Sequence, residues 1–142
     1  MNQVNARPLW IGHGGDGQDL ARLGALGIEA VVELAEEEPP SIPRRDMIAC
    51  RFPLIDGVGN RPELLALAIR TVAALVEAGI PILVACSGGM SRSPAVVAAA
   101  LALLGREPPE VCLQRVVRDH PSDVSPGLWG EITAIADVKA PQ

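Results

Sequence analysis

Pro81-Ile-Leu-Val-Ala85-Cys86-Ser-Gly-Gly-Met-Ser91-Arg92-Ser-Pro94 runs without a break into the apolar segment Ala95–Leu104. Pro81 to Ala85 reads as a continuous apolar strand covered on both faces, with proline tolerated at its first residue. Two adjacent glycines, Gly88 and Gly89, then let the chain curl tightly. From Pro94 to Leu104 every residue is apolar, so a helix here has no polar face and must be central and buried. Ligand sites in sheets built from such units gather beyond the carboxyl ends of strands, at helix N-termini.

The segments on either side repeat the alternation. Residues 8–12 predict a short strand, followed by the glycine-rich turn 12–17 and a helix over about 18–26 that Gly27 ends. Residues 28–34 and 47–52 predict two more strands. The acid- and proline-rich stretch 36–43 between them predicts a loop whose three acids face solvent. Arg61-Pro62-Glu63 opens a long helix with Leu65, Ala68, Ile69, Val72, Leu75 and Val76 on one face, ending at Gly79. Two further helices are expected over about 109–118 and 126–138. The expected fold class is α/β: a single domain over 1–142, with a central mostly parallel sheet of four to five strands flanked by helices.

Composition narrows the partners. A chain of 142 residues suits one compact domain, and 49% hydrophobic content supplies its core. A net charge of −5 leaves no broad basic surface for nucleic acid or anionic lipid. Two Trp, one Phe and no Tyr offer no platform for stacking bases. The longest apolar run is too short to span a membrane, and Met1 to Pro8 lacks the apolar core of a signal peptide. Cys50, Cys86 and Cys112, odd in number and far apart, fit neither a disulfide framework nor a zinc site. No cofactor or metal is called for, and a reducing, cytoplasmic location is expected. Cys50 and Cys112 read as small core residues, and His13 and His120 as solvated loop residues.

Any anionic ligand must therefore be attracted locally. A turn at a helix N-terminus offers inward amides from Ser87, Gly88, Gly89, Met90 and Ser91, which bind a dianion without net protein charge. Cys86 sits at the bottom of that ring. A free thiol has a pKa of about 8.5, and a helix N-terminus with a nearby arginine brings it to roughly 3.5–7.5. Arg92 returns to the same cup and presents a planar fork to two oxygens of a phosphate, a geometry lysine lacks. Ser93 beside it can hydrogen-bond the sulfur. Asp56 stands on a loop from which a carboxyl can reach a leaving oxygen, although Asp-Gly is also favoured in plain turns.

Cys86-x5-Arg92-Ser93, with glycine three residues after the cysteine, resembles the signature of the protein tyrosine phosphatase superfamily. Gly89-Met90-Ser91-Arg92-Ser93 most resembles its dual-specificity branch, in a small atypical form. Leu9-Trp-Ile-Gly12, Leu23-x-x-Leu26-Gly27-Ile28, Val31-Val-Glu-Leu34, Phe52-Pro-Leu-Ile-Asp56 and the stretch Val116–Ile132 extend the likeness over most of the chain. The resemblance implies metal-independent hydrolysis of phosphate monoesters through a phosphocysteine. Cys86 is then the nucleophile, Arg92 and the loop 87–91 hold the phosphate, and Ser93 assists the departing thiolate. Asp56, 30 residues before Cys86, protonates the leaving oxygen and later activates water. The implied substrate is a phosphorylated protein or peptide (phosphotyrosine, phosphoserine or phosphothreonine), with inhibition by phosphate-like oxyanions.

The chain departs from the family where Ala85 replaces the usual histidine, which implies a less stabilised thiolate and slower turnover unless His13 or His120 compensates from elsewhere. The loop also carries no lysine, unlike many members that act on phosphoinositides, and no tyrosine is present to wall a deep slot. The residues leave other readings open. One is a phosphate-recognition module with little turnover. Another is a low-molecular-weight phosphatase, whose loop would follow the first strand. A third is a sulfur transferase.

Overall fold

The computed structural model describes residues 1–135 and 138. Its centre is a five-stranded sheet, with β1 (Asn2–Gln3), β2 (Leu9–Gly12), β3 (Ala30–Ala35), β4 (Ile48–Leu54) and β5 (Ile82–Ala85) in the spatial order β1-β2-β5-β3-β4. Only the β1–β2 pair is antiparallel. The expected α/β class and mostly parallel sheet are what the chain adopts. β5 is central and all four of its residues are buried, as its unbroken apolar run requires.

The helices are α1 (Leu20–Ala25), α2 (Pro62–Glu77), α3 (Arg92–Gly105), α4 (Pro109–Asp119) and α5 (Pro126–Thr133). α3 is the core helix, buried continuously from Arg92 to Ala102. It packs with α2, α4 and α5 around the larger apolar cluster. Each large apolar side chain sealed there contributes about 1.5–3 kcal/mol. A smaller cluster of Leu23, Ile28, Val31, Leu83 and Ala85 lies on the opposite face, capped by α1.

Most elements start or end one or two residues from the sequence reading, β3 for example running from Ala30 to Ala35 rather than over 28–34, and three of the boundaries are informative. β4 runs on through Pro53 to Leu54, because it is an edge strand where a missing N–H costs no ladder bond. α3 begins at Arg92 rather than Pro94, so the proline falls inside the first turn, where helical N–H groups have no partner anyway. α5 ends at Thr133, in a last turn where the Ala134 N–H reaches both Gly130 and Ile132 carbonyls. Residues 136 and 137 of the longer helix expected there lie outside the described residues.

This topology decides which loops meet. β2, β3, β4 and β5 are parallel, and Ala85 at the end of β5 lies beside Gly12 on one side and Glu33 on the other. The segments that follow these strands, including 36–38, 55–60 and 86–91, therefore emerge at one end of the sheet.

Candidate active site

The loop from Cys86 to Ser91 joins β5 to α3, and its shape is fixed from outside. The Ser87 carbonyl accepts from Gly14 N–H at 3.1 Å, the Gly89 carbonyl from His120 Nε2 at 2.6 Å, and the Met90 carbonyl from Asp123 N–H at 2.7 Å. Carbonyls held outward turn the intervening amides inward. Among the described residues, the amides of Ser87 to Ser91 meet no protein acceptor. Gly89 has φ +73°, and a Cβ there would stand 2.8 Å from the Gly12 carbonyl oxygen, so this position requires glycine.

An open cleft of about 390 Å³ lies over the loop, lined by Glu37, Asp56, Cys86, Ser87, Gly88, Met90, Ser91, Arg92 and Asp123. It gathers most of the residues singled out from the sequence. The exceptions are Gly89, which forms the back of the loop, and Ser93, which is fully buried with its hydroxyl unpaired among the described residues. Cys86 is buried at 3% exposure. Cys112 is a core residue, as expected, and burial pushes its thiol pKa up. Cys50 is half-buried on the edge strand.

Arg92 has the most telling environment. Its Nη1 and Nη2 donate to Oε1 and Oε2 of Glu37, both at 2.5 Å, and Nη1 also donates to the Leu54 carbonyl at 3.0 Å. A guanidinium carries five N–H donors in one plane. These three contacts occupy the Nη1 side, and Nε is buried without a partner among the described residues. What remains is the edge formed by Nε–H and the second Nη2–H, two parallel donors spaced for two oxygens of one oxyanion. The paired guanidinium holds the Glu37 carboxyl down at about 2, and the Arg92 pKa is raised, chiefly by the same hydrogen bonds.

The stretch Glu36–Glu38 is a loop with Glu36 exposed, as expected from sequence, but Glu37 and Glu38 are more than solvated acids. Glu37 is bound to Arg92, Glu38 accepts from Ser87 Oγ at 2.8 Å, and Arg51 donates to the Glu36 and Glu38 carbonyls at 3.1 Å each. Two of the three carboxylates are thus engaged, by Arg92 and by Ser87, while Arg51 braces the backbone of the loop. His120 is likewise corrected: it is buried under the loop rather than solvated.

Asp56 lies exposed at the cleft mouth, and its Oδ1 accepts from Ser91 Oγ at 2.6 Å. Ser91 Oγ in turn accepts from Ser125 N–H at 2.8 Å. The loop carrying Asp56 is folded around Asn60, whose side chain accepts from Ile55 N–H and donates to the Ile55 and Gly57 carbonyls. Glu131 of α5 accepts from Gly59 N–H and from the Asn60 amides. Asn60, Glu131, Glu37 and Asp123 all escaped the sequence reading. Asparagine just before the Arg-Pro helix start was a usable sign, since this side chain closes turns onto its own backbone.

No family model matches the chain, and no curated protein matches it. Solved structures do. Human DUSP28 superposes with a TM-score of 0.83 at 23% identity, covering 95% of this chain and 94% of its own. A mouse putative dual specificity phosphatase, complexed with zinc tungstate, gives 0.82 at 25% identity, covering 94% of this chain and 84% of its own. The human tyrosine phosphatase-like serine/threonine/tyrosine-interacting protein gives 0.79 at 17% identity, covering 94% and 93%. The chain has the fold of the small dual-specificity phosphatases, in agreement with the resemblance read from its loop.

Proposed function

We propose that this chain is one catalytic domain that hydrolyses phosphate monoesters through a phosphocysteine, acting on a phosphorylated protein or peptide. The observation that carries this reading is the unpaired Nε–Nη2 edge of Arg92, which lines one cleft with Cys86, together with loop amides free to receive an oxyanion. A bound phosphoryl group accepts from those amides and from the two guanidinium donors, which stabilise the charge on its equatorial oxygens in the transition state. The Cys86 thiolate attacks phosphorus in line with the ester oxygen, and the P–O bond to the leaving group breaks. Asp56 donates its proton to that oxygen. The resulting carboxylate then takes a proton from water, which attacks phosphorus and releases inorganic phosphate and the Cys86 thiolate. The buried Ser93 hydroxyl is free to donate to the departing sulfur.

Three carboxylates (Glu37, Asp56 and Asp123) line the cleft against one guanidinium. They oppose a substrate carrying several phosphates, which supports a phosphopeptide over an inositol polyphosphate headgroup. The test is turnover of p-nitrophenyl phosphate with chelator present, by the wild type and by Cys86→Ser. The expected result is activity that disappears in Cys86→Ser while tungstate still binds. Turnover that survives in Cys86→Ser would remove the phosphocysteine, and tungstate binding without any wild-type turnover would favour a phosphate-recognition module.

A further inference from the structure

The oxyanion loop is braced by one side chain far from it in sequence. His120 is the residue at which α4 ends. It has extended φ and ψ of −142° and 124°, as the following Pro121 requires. That break carries the imidazole under the loop, where it is 7% exposed. A carbonyl oxygen only accepts, so Nε2 carries a proton and donates to Gly89 at 2.6 Å. On the far side, Nδ1 lies 2.7 Å from the side-chain amide oxygen of Asn2 in β1. The neighbouring Asp119 ties the same N-terminal segment by accepting from Asn5 N–H at 2.8 Å. The ring is thus held through Nε2, and Nδ1, left as an acceptor, gains a hydrogen bond only when the Asn2 amide turns its N–H toward it.

Gly89 is the residue where this grip matters. Its left-handed backbone reverses the loop, and the Ser87 and Met90 carbonyls around it are anchored by backbone amides alone. Unanchored, the Gly89 carbonyl is free to swing inward with its peptide plane, and the following amide turns away from the cup as it does so. We propose that His120 is a positioning residue for this site: by holding the Gly89 carbonyl outward it keeps the loop amides aimed at the oxyanion. The inference rests on the phosphatase reading above, but it concerns binding as well as turnover.

The experiment is tungstate binding by calorimetry, with p-nitrophenyl phosphate kinetics alongside, on the full chain and below every variant's melting temperature. His120→Ala is expected to lose about tenfold in tungstate affinity, the scale of one hydrogen bond, with KM rising in parallel. His120→Gln keeps a side-chain N–H able to reach Gly89, and is expected to recover most of that loss. Asn2→Ala, on an exposed edge strand, frees Nδ1 without touching the loop. It is expected to weaken tungstate about twofold to threefold, and it decides the matter if His120→Ala does not fold. Unchanged tungstate affinity in folded His120→Ala or in Asn2→Ala would overturn the role of His120. So would equal losses in His120→Ala and His120→Gln, since a general packing defect does not distinguish an amide from a methyl. A wild type that neither binds tungstate nor hydrolyses the ester removes the phosphatase reading and this inference together. A wild type that binds, beside an indifferent His120→Ala, removes only the inference.

Discussion

Arg92 and Glu37, 55 residues apart, meet in a two-point ion pair that leaves one edge of the guanidinium without a partner among the described residues. The pair orients the arginine before any ligand arrives, because its Nη1 side is fully engaged. Removing Glu37 leaves a buried cation with one carbonyl acceptor, which is costly. The carboxylate is half exposed, so the cost stays below that of a fully buried pair. Glu37→Ala is expected to lose about 1–2 kcal/mol by urea unfolding. Added tungstate should recover part of that loss, since a bound dianion supplies the missing charge. A deficit that tungstate leaves unchanged would mean Arg92 does not face the oxyanion.

The same pair sets an acid dependence. The folded-state pKa of Glu37 is lowered from 4.5 to about 2, so its stabilisation is complete above about 4.5 and is lost as pH falls through about 2. The stability advantage of wild type over Glu37→Gln should therefore be constant near neutrality and narrow across that acid window. A gap of constant size down to the lower limit would show that ionised Glu37 contributes nothing.

Asp56 is held by Ser91 at 2.6 Å, and this makes the two residues one unit. Asp56→Asn is expected to cut kcat by roughly 10²–10⁴-fold for esters with poor leaving groups, and by less for p-nitrophenyl phosphate. Ser91→Ala should give a smaller loss, and the double variant should be no worse than Asp56→Asn. Additive losses would mean that Ser91 does not act through Asp56. Equal loss on good and poor leaving groups would remove Asp56 as the acid.

Gly89 tests the loop backbone directly. A side chain there must adopt a left-handed conformation, costing about 1–2 kcal/mol, and must push on the Gly12 carbonyl. Gly89→Ala is expected to lower the melting temperature and to abolish measurable tungstate binding. Tungstate binding that survives would show that this turn does not shape the cup.

Covalent adjacency explains what the sequence made legible. Cys86, the glycines and Arg92 lie in one short segment between an all-apolar strand and an all-apolar helix, so spacing alone places them at a helix N-terminus. Glu37 was hidden because its partner is set by the order of parallel strands, which puts the end of β3 beside β5. Three consecutive glutamates look solvated until Arg92 is seen to bind Glu37 and Ser87 to bind Glu38. His120 read as a loop residue because a helix end before proline usually faces water; only the fold shows that this end lies beneath the loop.

The central claim is that a covalent bond forms between Cys86 sulfur and phosphorus, and rapid acid quenching during p-nitrophenyl phosphate turnover tests it directly. Peptide mass spectrometry should then find one added phosphoryl group on the Cys86 peptide. The group should be absent from Cys86→Ser and more abundant in Asp56→Asn, where hydrolysis of the intermediate is slowed. Steady turnover with no phosphoryl group on that peptide, or with the group on another residue, would contradict the account.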